Sequence, residues 1–582
     1  MEFVFPPKEF IREKLIAVLD SQLRWARRVA MPLSDKLKNN AVIKNLFVVE
    51  VKMKIKLLLF VILSGVLICN MFAQANQQHA SLTPERVISA DFNIVKGGFN
   101  KMFKECVGAG RANEGLRADW QHQLALVKKE CDFKYIRMHG LLTDDMGVYK
   151  EDKNGNPEYN FQYIDVLYDY ILEIGMKPFV ELGFMPNALA SGTQTIFWWK
   201  GNVTPPKDYG KWANLIRNLV LHFTLRYGAE EVKTWYFEVW NEPNLNGFWA
   251  GTQEEYFKLY RYTVEAIKSV NKEYRVGGPA TAGAAWVPEM INFCSANKLP
   301  LDFISTHSYG VKQGYLDESG TTGTILDKNK WSVSGDILNS RKQISNSPMP
   351  NLELHYTEWS SSYTPADPIH DSYHEAAYIL EKIKQVGNAP TSMSYWVFTD
   401  IFEEAGPRFT PFHGGFGLLN YQGIKKPAFF AYEFLNKLGK TELVNSDSSS
   451  WVCKDSNGNI QTLFWDFTNT HPGDSVNNQA YYVRDLPAKS KGKVKVHISG
   501  VPSGKYFIEV YKVGYHANDS YSTYLEMYKP AQLTEEQVKA IKNINDGSPV
   551  SKKIIKVDSS GVFSDEIGIR ENDVFLMKLI KL

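Results

Sequence analysis

From about residue 103 to residue 434, short continuous apolar runs alternate with longer stretches of helical period. The runs span 103–108, 135–139, 178–183, 235–240, 275–278, 303–307, 352–357 and 394–398. Unbroken apolar runs of this length mark strands buried on both faces, and parallel strands of that kind need helical crossovers. Amphipathic stretches at 121–129, 162–174, 209–227, 253–270 and 374–385 supply them. Strand–helix units repeated over about 330 residues predict an α/β fold, a (β/α)8 barrel with insertions. A doubly wound open sheet is the runner-up, and it is weakened because no G-x-G-x-x-G follows an early strand. Polar residues cluster after the runs rather than before them, as in Met138-His-Gly140, Asn241-Glu-Pro-Asn244, His307-Ser-Tyr309 and Glu358-Trp359. A barrel builds its active site at that end of its strands.

The pattern changes past about residue 440. Strand-like runs at 450–453, 461–467, 494–498, 506–511 and 574–580 are separated by turn signals such as Asp455-Ser-Asn-Gly-Asn459 and Pro502-Ser-Gly504. Such spacing predicts an all-β sandwich. One helix, 535–544, interrupts it, opened by a capping box of Thr534 and Gln537. The expected domains are a barrel over 76–438 and a sandwich over 439–582.

The N-terminus reads as processed. Lys52, Lys54 and Lys56 precede an apolar run at 57–69, and Ala73-Gln-Ala75 follows. This is the order of a secretory signal starting at Met53 and cleaved after Ala75. Residues 1–52 then form an upstream extension foreign to the cellular protein, and the mature chain is expected to be exported, periplasmic or extracellular. The run falls short of the ~20 residues a membrane span requires, so no stable insertion is expected after cleavage.

Composition narrows the field. Hydrophobic residues at 44% and charged residues at 22% indicate a globular chain. The net charge of +2 comes from residues 1–75, which hold 12 Lys/Arg against 6 Asp/Glu, leaving −4 on the remainder. No basic patch remains to argue for a nucleic-acid partner. Cys106, Cys131, Cys294 and Cys453 are widely spaced, with no C-x-x-C and hence no zinc pattern. His370 and His374 have a metal-like spacing without completing residues; they are expected to cap or to lie on the surface. Neither a metal nor a cofactor is called for.

The chemistry centres on two glutamates. Trp235-Tyr-Phe-Glu-Val-Trp-Asn-Glu-Pro-Asn244 runs from a strand into a polar tip carrying Glu242, and Glu358 likewise ends Glu353-Leu-His-Tyr-Thr-Glu-Trp359. Apolar walls raise a carboxyl pKa, which suits a general acid, whereas a carboxylate surrounded by donors stays ionised. Two such groups are the minimum needed to break a glycosidic bond.

A set of segments in this order resembles glycoside hydrolase family 39, and within it the β-xylosidases. The set comprises Cys106-Val-Gly-Ala-Gly-Arg111, Tyr135-Ile-Arg-Met-His-Gly140, Phe179-Val-Glu-Leu-Gly-Phe184, Lys200-Gly-Asn-Val-Thr-Pro-Pro206, the 237–249 stretch, Phe402-Glu-Glu-Ala-Gly406 and His413-Gly-Gly-Phe-Gly417. The resemblance covers 95–435. It implies a retaining exo-hydrolase that removes terminal xylose from xylo-oligosaccharides, with Glu242 as acid/base on strand four and Glu358 as nucleophile on strand seven. It places Asn241 at the sugar 2-hydroxyl, His307 and Tyr309 near the nucleophile, and His139 at a sugar contact. It makes Trp396 a floor under the sugar, with Glu403 and Glu404 on its hydroxyls and a cis peptide at Trp396–Val397. Phe197, Trp198 and Trp199 either wall the donor sugar or cap the barrel. The stretch Trp359-Ser-Ser-Ser-Tyr363 departs from the usual xylosidase pattern, which leaves open another sugar, an α-L-iduronide or an arabinoside. A non-catalytic sugar-binding barrel is the alternative of a different class.

Overall fold

The computed structural model describes residues 86–313 and 323–582. The signal-like stretch and the cleavage position at Ala75 lie outside the described residues. Eight parallel strands close into a barrel in chain order: Cys106–Arg111, Tyr135–His139, Lys177–Leu182, Tyr236–Val239, Arg275–Thr281, Phe303–Tyr309, Glu353–Ser360 and Ser392–Tyr395. Strand one begins later than its apolar run predicts. Met102 and Phe103 are buried, but they sit in a short 3-10 turn ahead of the strand. The crossover helices include Ala118–Cys131, Gln162–Glu173, Tyr209–Tyr227, Gln253–Val270 and His374–Val386. Asp208 caps the third of these through Lys211 N, and a Thr252/Glu255 capping box opens the fourth.

Side-chain alternation lines the barrel interior. Tyr135, Phe179, Tyr236 and Phe303 pack as one aromatic plug with Cys106. Two residues further along their strands stand Arg137, Glu181 and Glu238, all fully or almost fully buried. The plug thus closes the lower barrel, and a charged layer lies above it, beneath the strand ends.

The second domain is one nine-stranded sheet, ordered Ser551–Val557, Gly504–Val513, Val574–Lys581, Ile460–Trp465, Ser450–Lys454, Thr441–Asn445, Arg86–Gly98, Ser490–Ser499, Phe563–Arg570. Strands from both ends of that order share one core, in which Ile88, Val452, Val496, Ile508 and Met577 meet. The sheet therefore folds over on itself as a sandwich does. Its boundary corrects the sequence-based division. Arg86–Gly98 does not belong to the barrel segment: it pairs antiparallel with Thr441–Asn445 and parallel with Ser490–Ser499. Segments on both sides of the barrel in sequence thus build this domain. Three helices are inserted: a short Asn478–Tyr481, Ser520–Glu526 and the expected Glu535–Ile544, the last two packing with Phe412 and Ile424 from the barrel segment.

All four described cysteines are buried and unpaired. His370 and His374 are buried, not superficial: His370 bonds Gly414 O at 2.9 Å and Ser362 O at 3.1 Å, and His374 bonds Ser372 at 2.6 Å. Among the described residues no helix is long and apolar enough to cross a membrane.

Candidate active site

A cavity of about 420 Å³ opens at the C-terminal ends of the barrel strands. His139, Asn241, Glu242, Tyr309, Glu358, Trp396 and Glu404 all line it. Trp240 and Glu242 adopt left-handed backbone conformations, with φ of 71° and 44°. That turn is strained for side chains with a Cβ. It is anchored where Glu242 N donates to Ala280 O at 2.8 Å, and it carries the Glu242 carboxyl into the cavity.

Arg137 is the hub of the site. Its guanidinium, fully buried, donates to Glu238 Oε2 at 2.6 Å, to Glu358 Oε1 at 2.6 Å and to Asn241 Oδ1 at 2.8 Å, and it lies 2.9 Å from Glu181 Oε2. Burial opposes its charge, but these carboxylates more than offset that and hold its pKa well up. The bond to Asn241 has a second effect: with Oδ1 occupied, the amide Nδ2 is what Asn241 offers a ligand. Tyr309 donates to the other Glu358 oxygen at 2.6 Å. Burial and the adjacent Glu358 push the phenol pKa well up, so Tyr309 keeps the proton it donates. Glu358 therefore receives a donor on each oxygen.

Glu242 is held differently. Burial, then the nearby Glu358, raise its pKa well above the usual carboxyl range. Its Oε1 lies 2.8 Å from His307 Nδ1. The direction of that bond follows from its neighbours. Thr357 donates its hydroxyl proton to Glu238 Oε1 at 2.8 Å, so toward His307 Nε2, 3.2 Å away, it accepts. Burial keeps His307 neutral, its pKa well below the usual histidine value. The single ring proton then sits on Nε2, Nδ1 is bare, and the Glu242 hydroxyl donates to it. The network stabilises the protonated form of Glu242.

His139 ends strand two with Nδ1 at 2.6 Å from Glu181 Oε2, and its Nε2 lies 3.5 Å from Glu358 and 3.6 Å from Glu404. Burial drives the His139 pKa down to about 3, so the ring is neutral near pH 7, and burial, opposed by Arg137, pushes Glu181 up to about 8. Trp396 lies under this layer, 4.7 Å from the His139 ring and 5.7 Å from the Arg137 guanidinium. Gly108 lets it approach: a Cβ there would fall 2.4 Å from the indole. The peptide Trp396–Val397 is cis, as the family resemblance implies.

Two placements differ from expectation. Glu403 does not line the cavity. It pairs with Arg111 at 2.7 Å and Arg117 at 3.4 Å, because both arginines stand on its side of the loop and draw it away. Glu404 alone of this pair reaches the cavity, with its pKa raised well up by burial and by Glu358. His307 does lie near the nucleophile position, Nδ1 3.6 Å from Glu358 Oε2, but it is fully buried beneath the carboxyls and bonds Glu242 instead of lining the cavity as a sugar contact. Phe197, Trp198 and Trp199 do not line the cavity either; Phe197 stacks behind His139 at 6.0 Å, and Trp198 is half exposed. Arg137, Glu181, Glu238 and Thr357 are the residues that sequence reasoning missed.

Comparison with known proteins identifies the family. The family model for glycosyl hydrolases family 39 matches residues 87–562. A β-xylosidase of Caldicellulosiruptor saccharolyticus is 42% identical over 462 residues, 78% of this chain and 90% of the relative. A β-xylosidase of Geobacillus stearothermophilus is 45% identical over 377 residues, 63% of this chain and 74% of the relative. The crystal structure of a monomeric β-xylosidase from Caulobacter crescentus superposes with a TM-score of 0.82 at 42% identity, covering 85% of this chain and 100% of that one. With its closed barrel, its paired glutamates and these relatives, the chain belongs to glycosyl hydrolases family 39 and is a glycoside hydrolase.

Proposed function

We propose that the protein is a retaining exo-β-xylosidase that releases terminal xylose from xylo-oligosaccharides through a covalent xylosyl–Glu358 intermediate. One observation carries the retaining mechanism: a carboxyl oxygen of Glu242, one of Glu358 and a ring nitrogen of His307 all lie within 4.8 Å of one another. Retaining enzymes hold their carboxyls about 5–5.5 Å apart, and inverting enzymes about 6.5–9.5 Å apart to admit a water. In the first step Glu358 attacks the anomeric carbon while Glu242 gives its proton to the leaving oxygen. Forming the ester removes the Glu358 charge that helps raise the Glu242 pKa, so Glu242 becomes a base toward the incoming water. His139, Asn241 and Glu404 face the sugar hydroxyls over Trp396. The choice of xylose rests on the two β-xylosidase relatives above.

The deciding experiment is NMR of the first sugar released from p-nitrophenyl β-xyloside. The β anomer is expected before mutarotation; the α anomer refutes retention. A panel of nitrophenyl glycosides tests the sugar, with iduronide or arabinoside turnover exceeding that of xyloside as the contrary result. Export rests on the Lys52–Ala75 pattern, and the N-terminal sequence of the mature protein tests it: a start before Asn76 defeats it.

A further inference from the structure

The sheet domain packs on loops beside the barrel's mouth. Between its strands Ile460–Trp465 and Ser490–Ser499 the chain leaves the sheet as a strap and crosses the loops that follow barrel strands six and seven. Lys312 pairs with Asp474 at 2.5 Å, Asn469 donates to Asp327 O at 3.2 Å, and Tyr373 donates to Leu486 O at 2.7 Å. At the centre of the strap is Asn478, fully buried. Its backbone N–H donates to Thr324 O at 2.8 Å, its Oδ1 accepts from Leu326 N at 3.0 Å, and its Nδ2 donates to Asp367 Oδ2 at 2.7 Å. Gln479 adds an acceptor for Thr324 N at 2.9 Å, and the Thr324 hydroxyl donates to the same Asp367 oxygen at 2.6 Å. Asn478 thus bonds both loops with one side chain, beside the direct Thr324–Asp367 bond that joins them.

Both tied loops carry a wall of the cavity. Leu326 pairs across a two-stranded ribbon with Val311, and Asp367 lies four residues beyond Tyr363; Val311 and Tyr363 both line the cavity. The lining comes from two arcs of the barrel. His139, Trp396 and Glu404 stand on or after strands two and eight. Leu245, Ala282, Gly283, Val311 and Tyr363, a mostly apolar second side, follow strands four to seven, as Glu242 follows strand four. Glu242 protonates the leaving oxygen, so the group attached to that oxygen has to lie along the second side.

We propose that Asn478 is a positioning residue for leaving-group recognition, through which the sheet domain fixes the spacing of the Val311 and Tyr363 walls and so sets which groups are accepted next to the scissile bond. This rests on the xylosidase reading above. The test is steady-state kinetics of the full chain on two substrates, xylobiose and β-xylosyl fluoride, whose leaving group is a single atom. In Asn478→Ala, kcat/KM for xylobiose should fall about tenfold, mainly through KM, while that for the fluoride stays within about twofold. Gln479→Ala, at a half-buried position, should show the same bias more weakly. Asn478→Asp should be impaired because it sets a carboxylate against Asp367, and Asp367→Asn combined with Asn478→Asp should recover xylobiose turnover by exchanging donor for acceptor. Equal losses on both substrates, or no loss on xylobiose in either Asn478→Ala or Gln479→Ala, overturn the proposal. A wild type inert toward both substrates condemns the xylosidase reading instead.

Discussion

Thr357→Val tests the proton arrangement at the acid. The two side chains have nearly the same shape, so the perturbation is loss of the hydroxyl alone. In the native chain Thr357 gives its proton to Glu238 and accepts from His307 Nε2, which leaves Nδ1 bare beneath Glu242 Oε1 at 2.8 Å. Without the hydroxyl, Nε2–H has no acceptor in a fully buried ring, and the other tautomer becomes favoured. Its Nδ1–H then points at Glu242 and stabilises the charged form. A hydrogen bond to a charged group contributes about 1.5–3 kcal/mol against about 0.5–1.5 kcal/mol for a neutral pair. Exchanging one for the other lowers the Glu242 pKa by about one unit. Glu238 keeps its Arg137 donor at 2.6 Å, and the Glu358 charge acting on Glu242 is unchanged. Because an acid works while protonated, activity is lost as pH rises through the raised Glu242 pKa. The alkaline limb of kcat/KM on xylobiose, a substrate that needs protonation, should therefore move down by about one pH unit. An alkaline limb that stays in place, or moves up, refutes the tautomer assignment even if kcat falls.

Glu358→Ala should abolish turnover, and added azide should restore it with an inverted α-xylosyl azide product, identified by NMR; a β product rules out Glu358 as the nucleophile. Glu242→Ala should slow xylobiose by about 10²–10⁴-fold while sparing the first step on dinitrophenyl xyloside, whose leaving group needs little protonation, and equal loss on both in single-turnover assays speaks against the acid assignment. Lys426→Met should destabilise the chain by about 3–5 kcal/mol in chemical denaturation, since fully buried Lys426 holds Asp371 at 2.7 Å, Asp400 at 3.0 Å and Gly415 O at 2.6 Å, and its removal leaves paired carboxylates uncompensated. A loss under about 1 kcal/mol means those carboxylates find other partners.

The barrel was legible because its strands are buried on both faces and its crossovers on one. Tyr209–Tyr227 and Gln253–Val270 lie where the helical period ends, since Asp208 and Thr252 cap them locally and no distant contact is needed to place their boundaries. Apolarity reports burial and not backbone conformation, which is why the first run begins in the turn that holds Phe103. The strand Arg86–Gly98 shows the other limit. Its pairing partners stand more than 340 residues away, Ala90 opposite both Asn445 and Ile498. Nothing local tells such a strand which sheet it joins.

The same reasoning sorts the site. Glu242 and Glu358 could be placed at the cavity because each closes an apolar strand run, and strand ends face the barrel's mouth. Glu403 and Glu404 are chemically alike and adjacent. What separates them is Arg111, 292 residues distant from Glu403 in sequence, and no local pattern encodes that. Arg137, Glu181 and Glu238 did leave a signal. Each stands inside a run that otherwise reads as buried on both faces, and an isolated buried charge costs far more than a domain's net stability. Three charged residues in three neighbouring apolar strands therefore have to compensate one another inside the barrel, and a group that must be compensated there lies one layer beneath whatever the strand ends present. On that argument the charged interruptions of the apolar pattern, rather than the motifs at its ends, identify the residues that hold Glu358 and Asn241 in place.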